Sequence, residues 1–173
     1  YVSGLPGWAV SVALLSRGRP RIGVVHIPTT GETFAASKDG HVRRNSADIT
    51  PSSSLTLQRN SFVSVNSHVL GRIAPHLPCK VRNLGSMAAH AVYTASGATT
   101  AAIFCNWRIW DIAAGFHIAW EAGAVARYAD GLKMEDFRGL SIHQPGRLVV
   151  LGTEPIIGEV LKHIRASQAA KST

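Results

Sequence analysis

Asp111 is the residue in this sequence best placed to hold a cation. Upstream of it, residues 100–106 are apolar and rich in strand formers. Downstream, Ile112, Phe116, Ala119 and Trp120 recur on one face of a helix. This change of period predicts a strand-to-helix junction with Asp111 at the N-cap. A carboxylate there accepts hydrogen bonds from the free amides of the first turn and faces the positive end of the helix dipole. One of its oxygens then stays fixed and available to a cation; on the plainer reading, Asp111 is a cap and nothing more. Ser86 poses the same choice. It precedes a predicted helix over 87–95, closed by Gly97, and the free amides of a helix start can hold phosphate oxygens or ligand hydroxyls. Ser67, with Asn66, ends a short strand and reads first as a cap.

Other reactive types form no constellation. The eight histidines, at 26, 41, 68, 76, 90, 117, 143 and 163, show no paired zinc spacing. His90 lies one turn into the Ser86 helix and could approach a ligand there. His117 lies two turns into the Asp111 helix and reads as a surface or core residue. Neither a Gly-x-Ser-x-Gly elbow nor a phosphate-binding P-loop is present.

The elements that must position these residues follow from period and turn chemistry. Residues 8–16, 21–27 and 32–36 read as three strands, separated by turns at Arg17-Gly18-Arg19-Pro20 and at Thr29-Thr30-Gly31. Lys38-Asp39-Gly40 is a further turn signal. The result is an antiparallel meander occupying roughly residues 1–50. Residues 41–60 have the composition of a connector. From 51 to 173 strand and helix alternate: strands at 61–65, 80–84, 100–106, 124–128 and 147–151, helices at 69–74, 87–95, after Asp111 and at 155–166, then a frayed tail from Ser167. That alternation marks an α/β layer.

The chain is long enough for one sizeable core, with 173 residues that are 46% hydrophobic and 16% charged. No apolar run approaches a membrane span and no signal peptide is visible. Cys79 and Cys105 give no disulfide framework, which points to a reducing, cytoplasmic setting. The net charge of +8 favours anionic partners. Nucleic acid is one such partner, yet the basic residues are dispersed and no basic helix or aromatic-interleaved stacking motif is evident. A field that draws in phosphorylated small molecules accounts for the charge as well.

Trp110-Asp111-x-Ala113-Ala114-Gly115 resembles the C-terminal signature of the inositol monophosphatase family. Gly85-Ser86-Met87-Ala88-Ala89, Gly23 to Pro28, Glu32 to Ala36 and Tyr1 to Pro6 resemble further segments of it. The resemblance runs from Tyr1 to about Ala166. It implies a layered α/β sandwich of the inositol monophosphatase and fructose bisphosphatase type. It also implies magnesium-dependent hydrolysis of a small phosphorylated substrate, and a homodimer. Asp111 would be a metal ligand, Ser86 and the adjacent amide of Met87 would position the substrate, and Ser67 falls near a polar substrate contact. Phe104 stands seven residues before Asp111, where inositol-selective members carry a Glu that contacts sugar hydroxyls; this argues against inositol phosphate as the preferred substrate. The family's Asp-Pro-x-Asp-Gly-Thr motif and its upstream Glu ligand are absent. The chain is therefore expected to be truncated before the metal site, part of its positive charge following from that loss. A non-catalytic member that binds phosphorylated ligands is the alternative.

Overall fold

The computed structural model describes residues 2–38 and 40–169, with only the backbone of 167–169. Asp39 of the expected turn at 38–40, and residues 170–173 of the expected tail, lie outside the described residues.

The first half is the meander. Strands β1 (Val10–Ser16), β2 (Arg19–Ile27) and β3 (Glu32–Ser37) pair antiparallel. The stretch expected to be a connector adds a hairpin, β4 (Arg43–Arg44) and β5 (Ala47–Asp48), so sheet A has five strands in chain order. Composition misses this hairpin because its strands are two residues long. It is held from outside, by Glu32. That carboxylate is buried, pairs with the Arg44 guanidinium, and accepts from the Thr30 hydroxyl at 2.6 Å and from the Tyr93 hydroxyl. Burial alone would raise its pKa; the hydroxyls of Thr30 and Tyr93 and the charge of Arg44 together hold it below the ordinary value.

The second half builds sheet B and the helices. Strand β6 (Phe62–Val65) leads into helix α1 (Ser67–Ile73) and a short 3-10 turn, Ala74–His76. Strand β7 (Lys80–Arg82) precedes helix α2 (Met87–Ala95). Strands β8 (Ala101–Phe104) and β9 (Trp107–Arg108) run into helix α3 (Ile109–Glu121). Strands β10 (Val125–Tyr128), β11 (His143–Gln144) and β12 (Val149–Gly152) follow, then helix α4 (Glu154–Ala169). The last helix thus runs three residues into the expected tail.

Sheet B has the order β10-β12-β8-β6-β7, with β6 parallel to both β7 and β8 and the other pairs antiparallel. One core joins the inner face of sheet A (Val25, Phe34) through α2 and α3 (Ala91, Phe116) to one face of sheet B (Phe104, Leu151). A second core packs the far face of sheet B (Val63, Ile103) on α1 and α4 (Ile73, Ile157). The layers therefore alternate sheet, helix, sheet, helix, which is why Ala101–Phe104 are buried on both faces and show no alternation. No helix among the described residues is long and apolar enough to cross a membrane.

Candidate active site

The α2 and α3 N-termini open on the same groove, of about 580 Å³. Its walls are Gly85 to Ala88 on one side and Trp110 with Asp111 on the other, while Gly7, Trp8, Ala9 and Ser11 close it from the meander. Two expected site residues, Ser86 and Asp111, are brought together here from the two helices, with Met87 beside the first.

Ser86 is the N-cap of α2. Its backbone is extended and its hydroxyl accepts from the Ala89 amide at 3.3 Å. Gly85 makes the approach possible. It has φ +83°, and a Cβ there would lie 2.6 Å from the Gly7 carbonyl oxygen; one on Gly7 would lie 2.8 Å from the Leu84 carbonyl oxygen. The two glycines let backbone touch backbone at the groove floor. The Asn83 carboxamide orders the same turn, accepting from the Gly85 amide and donating to the Ser67 hydroxyl, both at 2.9 Å. Ser67 is exposed and does not line the groove; it reaches the site only through Asn83.

Asp111 requires a correction: it is the third residue of α3, not its cap. Pairing of β9 with β11 keeps the chain extended through Arg108, which becomes the N-cap, and the helix starts at Ile109. From the third position the Asp111 carboxylate Oδ2 reaches back to accept from the Arg108 amide at 3.1 Å. This is one half of a capping box, because a guanidinium has no acceptor to return the bond. Oδ1 makes no hydrogen bond or ion pair among the described residues. The arrangement keeps the property that matters: one oxygen fixed, one open, at the positive end of a helix.

Phe104 also departs from expectation. Its side chain is fully buried, packed edge-on to Phe116 at 5.1 Å between centroids and tilted against His90 at 6.2 Å, and it does not line the groove. His90 is buried with it. Its Nε2 accepts from the Leu84 amide at 2.9 Å, so the proton sits on Nδ1, which has no partner. Burial pushes its pKa down to about 4. His90 therefore braces the turn before Ser86 from inside and does not approach a ligand.

Two features of the groove were not singled out from the sequence. Trp110 is 58% exposed beside Asp111, carrying the Arg108 guanidinium 5.8 Å from its ring centroid. Trp8, from the segment before β1, lines the same groove. An aromatic adjacent to the candidate ligand was the available signal for the first. A second cavity, of about 530 Å³, lies between β2, the end of α3 and residues 133–136. Its charges are largely paired internally, Arg19 with Asp136 at 3.6 Å and Lys133 with Glu135 at 3.0 Å. Its buried His117 has a pKa lowered by burial, opposed by Glu121 and the Arg21 backbone. The first groove combines an open carboxylate with the amides of a helix start.

The model of the inositol monophosphatase family matches residues 1–169. A fructose-1,6-bisphosphatase/inositol-1-monophosphatase of Thermotoga maritima is 30% identical over 171 residues, covering 95% of this chain and 65% of the relative. A Nus factor SuhB of Vibrio cholerae is 27% identical over 180 residues, covering 95% of this chain and 62% of the relative. The chain thus spans about two thirds of the length of these relatives. Among solved structures, an IMPase of Thermotoga maritima superposes with a TM-score of 0.81 at 26% identity, covering 98% of this chain and 65% of that one. The extragenic suppressor protein SuhB of Bartonella henselae, at 24% identity and a TM-score of 0.79, covers 95% of this chain and 64% of that one and matches in fold.

Proposed function

This chain belongs to the inositol monophosphatase family, and from that premise we propose that it contributes to magnesium-dependent hydrolysis of a small phosphate monoester. The observation that carries the reading is the meeting of Ser86 and Asp111 across one groove. The amides after Ser86 are oriented to receive phosphate oxygens. Asp111 Oδ1 is free to hold a cation against them. Trp8 and Trp110 add aromatic surface to the same groove.

A carboxylate is the right donor for Mg2+, but one is not enough for an ion that prefers six oxygens. Among the described residues no group of three or more His, Cys, Asp or Glu could hold a metal. Asp111 therefore fits one corner of a magnesium site. The rest of the donor set would come from a catalytic unit longer than this chain, in line with the two-thirds span of its relatives. When bound, the metal would supply charge neutralisation and activation of water. Within these residues, Asp111 holds a cation and the Ser86 turn orients phosphate. We carry a cytoplasmic setting and a homodimer with this reading, the first supported by the two free thiols, Cys79 and Cys105.

The lone carboxylate also favours a second reading, a member that binds phosphorylated ligands or partners without turning them over; several relatives bear the name Nus factor. Paired variants of Asp111 test the first. In the intact protein Asp111→Asn keeps an oxygen for the Arg108 amide but loses the charge. Chelator-treated melting temperature should change little, while kcat at fixed Mg2+ should fall steeply. Asp111→Ala should lose both, with about 0.5–2 kcal/mol of stability, as for loss of a cap. Equal loss of stability in both variants with an unchanged Mg2+ dependence would make Asp111 a structural residue. The present chain alone should hydrolyse no phosphate monoester; turnover abolished by chelator and by Asp111→Asn would contradict that.

A further inference from the structure

From Ile49 to Trp110 the sequence has no Asp or Glu, yet it carries Arg59, Arg72, Lys80, Arg82 and Arg108. The ion pairs among the described residues all use bases outside that stretch: Arg19, Arg43, Arg44, His117, Arg127, Lys133, Arg138 and Lys162. The bases within 49–110 are left without carboxylates, on a chain already at +8.

The fold gathers three of them at one place. Strand β7 is an end strand of sheet B. Its register sets Lys80 beside Phe62 and Arg82 beside Ser64. The turn before β6, closed by the Ser61 amide on the Gln58 carbonyl at 2.9 Å, carries Arg59; the Ser61 carbonyl in turn accepts from the Lys80 amide at 3.0 Å. Phe62 is 37% exposed, with Lys80 Nζ and Arg82 Cζ each 5.3 Å from its ring centroid. The sequence hides this cluster, because the α1 crossover separates Phe62 from the cations that surround it.

We propose that this sheet edge binds single-stranded nucleic acid. A base stacks on Phe62, and Lys80, Arg82 and Arg59 take the flanking phosphates. Exposed cations on long stems can swing from the ring to a phosphate, leaving the ring face to a base. An aromatic platform among cations that pair with no carboxylate among the described residues is the combination that sequence-tolerant single-strand binders use. A duplex keeps its base faces stacked and offers Phe62 nothing. An acidic protein segment would satisfy the cations but has no flat partner for the ring. The proposal is independent of the groove between Ser86 and Asp111.

The test is fluorescence anisotropy of a labelled oligouridine of about twelve nucleotides, within the site sizes such surfaces cover, titrated with the chain over a range of salt. Binding should saturate and weaken linearly in log salt. Lys80→Ala with Arg82→Ala should flatten the slope by about 1.4, or about 0.7 for each phosphate no longer neutralised. Phe62→Leu keeps an apolar side chain, so the slope should hold while affinity falls about tenfold, the loss of one stacked base. Far-UV spectra and melting temperatures of the variants should match the parent, since all three side chains are exposed. Four results would overturn the proposal: no saturable binding at low salt, a duplex bound as tightly, a polyglutamate peptide competing as well as oligouridine, or variants with unchanged slope and affinity.

Discussion

At Asp111 and His90, position along a helix decides what the side chain can do. The α3 cap falls at Arg108, three places before Asp111, where the local pattern puts it, because the β9–β11 pairing is long-range and leaves no local trace. The carboxylate still binds an amide with one oxygen and keeps the other open, so its candidate role survives the correction. His90 shows the reverse case: right helix, wrong side. Its pH response follows from burial. The folded pKa of about 4 lies below the ordinary 6.5, so the unfolded chain takes up the proton first. Stability contributed by the neutral ring is complete above pH 6.5 and is lost as pH falls toward 4. At about 1.36 kcal/mol per unit this gap is worth on the order of 3 kcal/mol. Urea midpoints at pH 7 and pH 5 should therefore differ more for the parent than for His90→Gln. Equal differences would show that His90 is not the group being titrated. Phe104 carries a specificity consequence. Buried in the core and away from the groove, it supplies no acceptor to a ring hydroxyl of a bound ligand, so this position confers no selectivity for such a ligand. In the intact protein kcat/KM for inositol 1-phosphate should not exceed that for other sugar phosphates or a nucleotide 3′-phosphate. A clear lead for inositol 1-phosphate would show that another group supplies the acceptor.

Among the elements, the start of α2 was legible because local chemistry writes it, whereas that of α3, set by the β9–β11 pairing, was not. Ser86 before an apolar run and Gly97 after it mark α2 at both ends, and both do what the pattern predicts. The β4–β5 hairpin was not legible, since two-residue strands carry no period and Glu32, which anchors them, lies in another strand. Nor was the close approach of Gly7 to Gly85, which joins segments far apart in sequence. That approach fixes the groove floor and gives a sharp expectation. Gly85→Ala sets a Cβ 2.6 Å from the Gly7 carbonyl in a backbone conformation, φ +83°, that alanine resists. The conformation alone costs on the order of 1–3 kcal/mol, and the clash must push the 6–9 segment away. A melting temperature lowered by several degrees with weakened binding of inorganic phosphate should follow. Gly139→Ala also has positive φ, at +66°, but meets nothing within 4 Å, so it reports strain without displacement. Phosphate affinity equally reduced in both would exclude the close approach as the cause.

On the scale of the molecule, the meander and the alternating strands and helices were readable from period and the layered sandwich from the family resemblance, whereas what covers each face was not. Sheet A packs one face on α2 and α3. The other face carries Val10, Val12, Leu14 and Ile22, exposed by 49%, 60%, 56% and 44%, with Val12 opposite Val24 and Leu14 opposite Ile22. Cross-strand apolar pairs of this kind belong in a core. Val10, Val12 and Leu14 lie on β1, an end strand of its sheet, and Ile22 on the adjoining β2, so an apolar face runs up to an unpaired edge. Contiguous apolar surface of this sort drives association. The chain should therefore self-associate with rising concentration, seen as a sedimentation coefficient that climbs across a dilution series. Val12→Lys with Leu14→Lys should return it to one slow species, because charge on an edge strand blocks pairing and desolvating a lysine opposes stacking of faces. The melting temperature measured at low concentration should hardly move, since both side chains already face water in the monomer. A parent chain that sediments as a monomer throughout, or a double variant that associates as the parent does, would mean that this face is not the one that drives assembly.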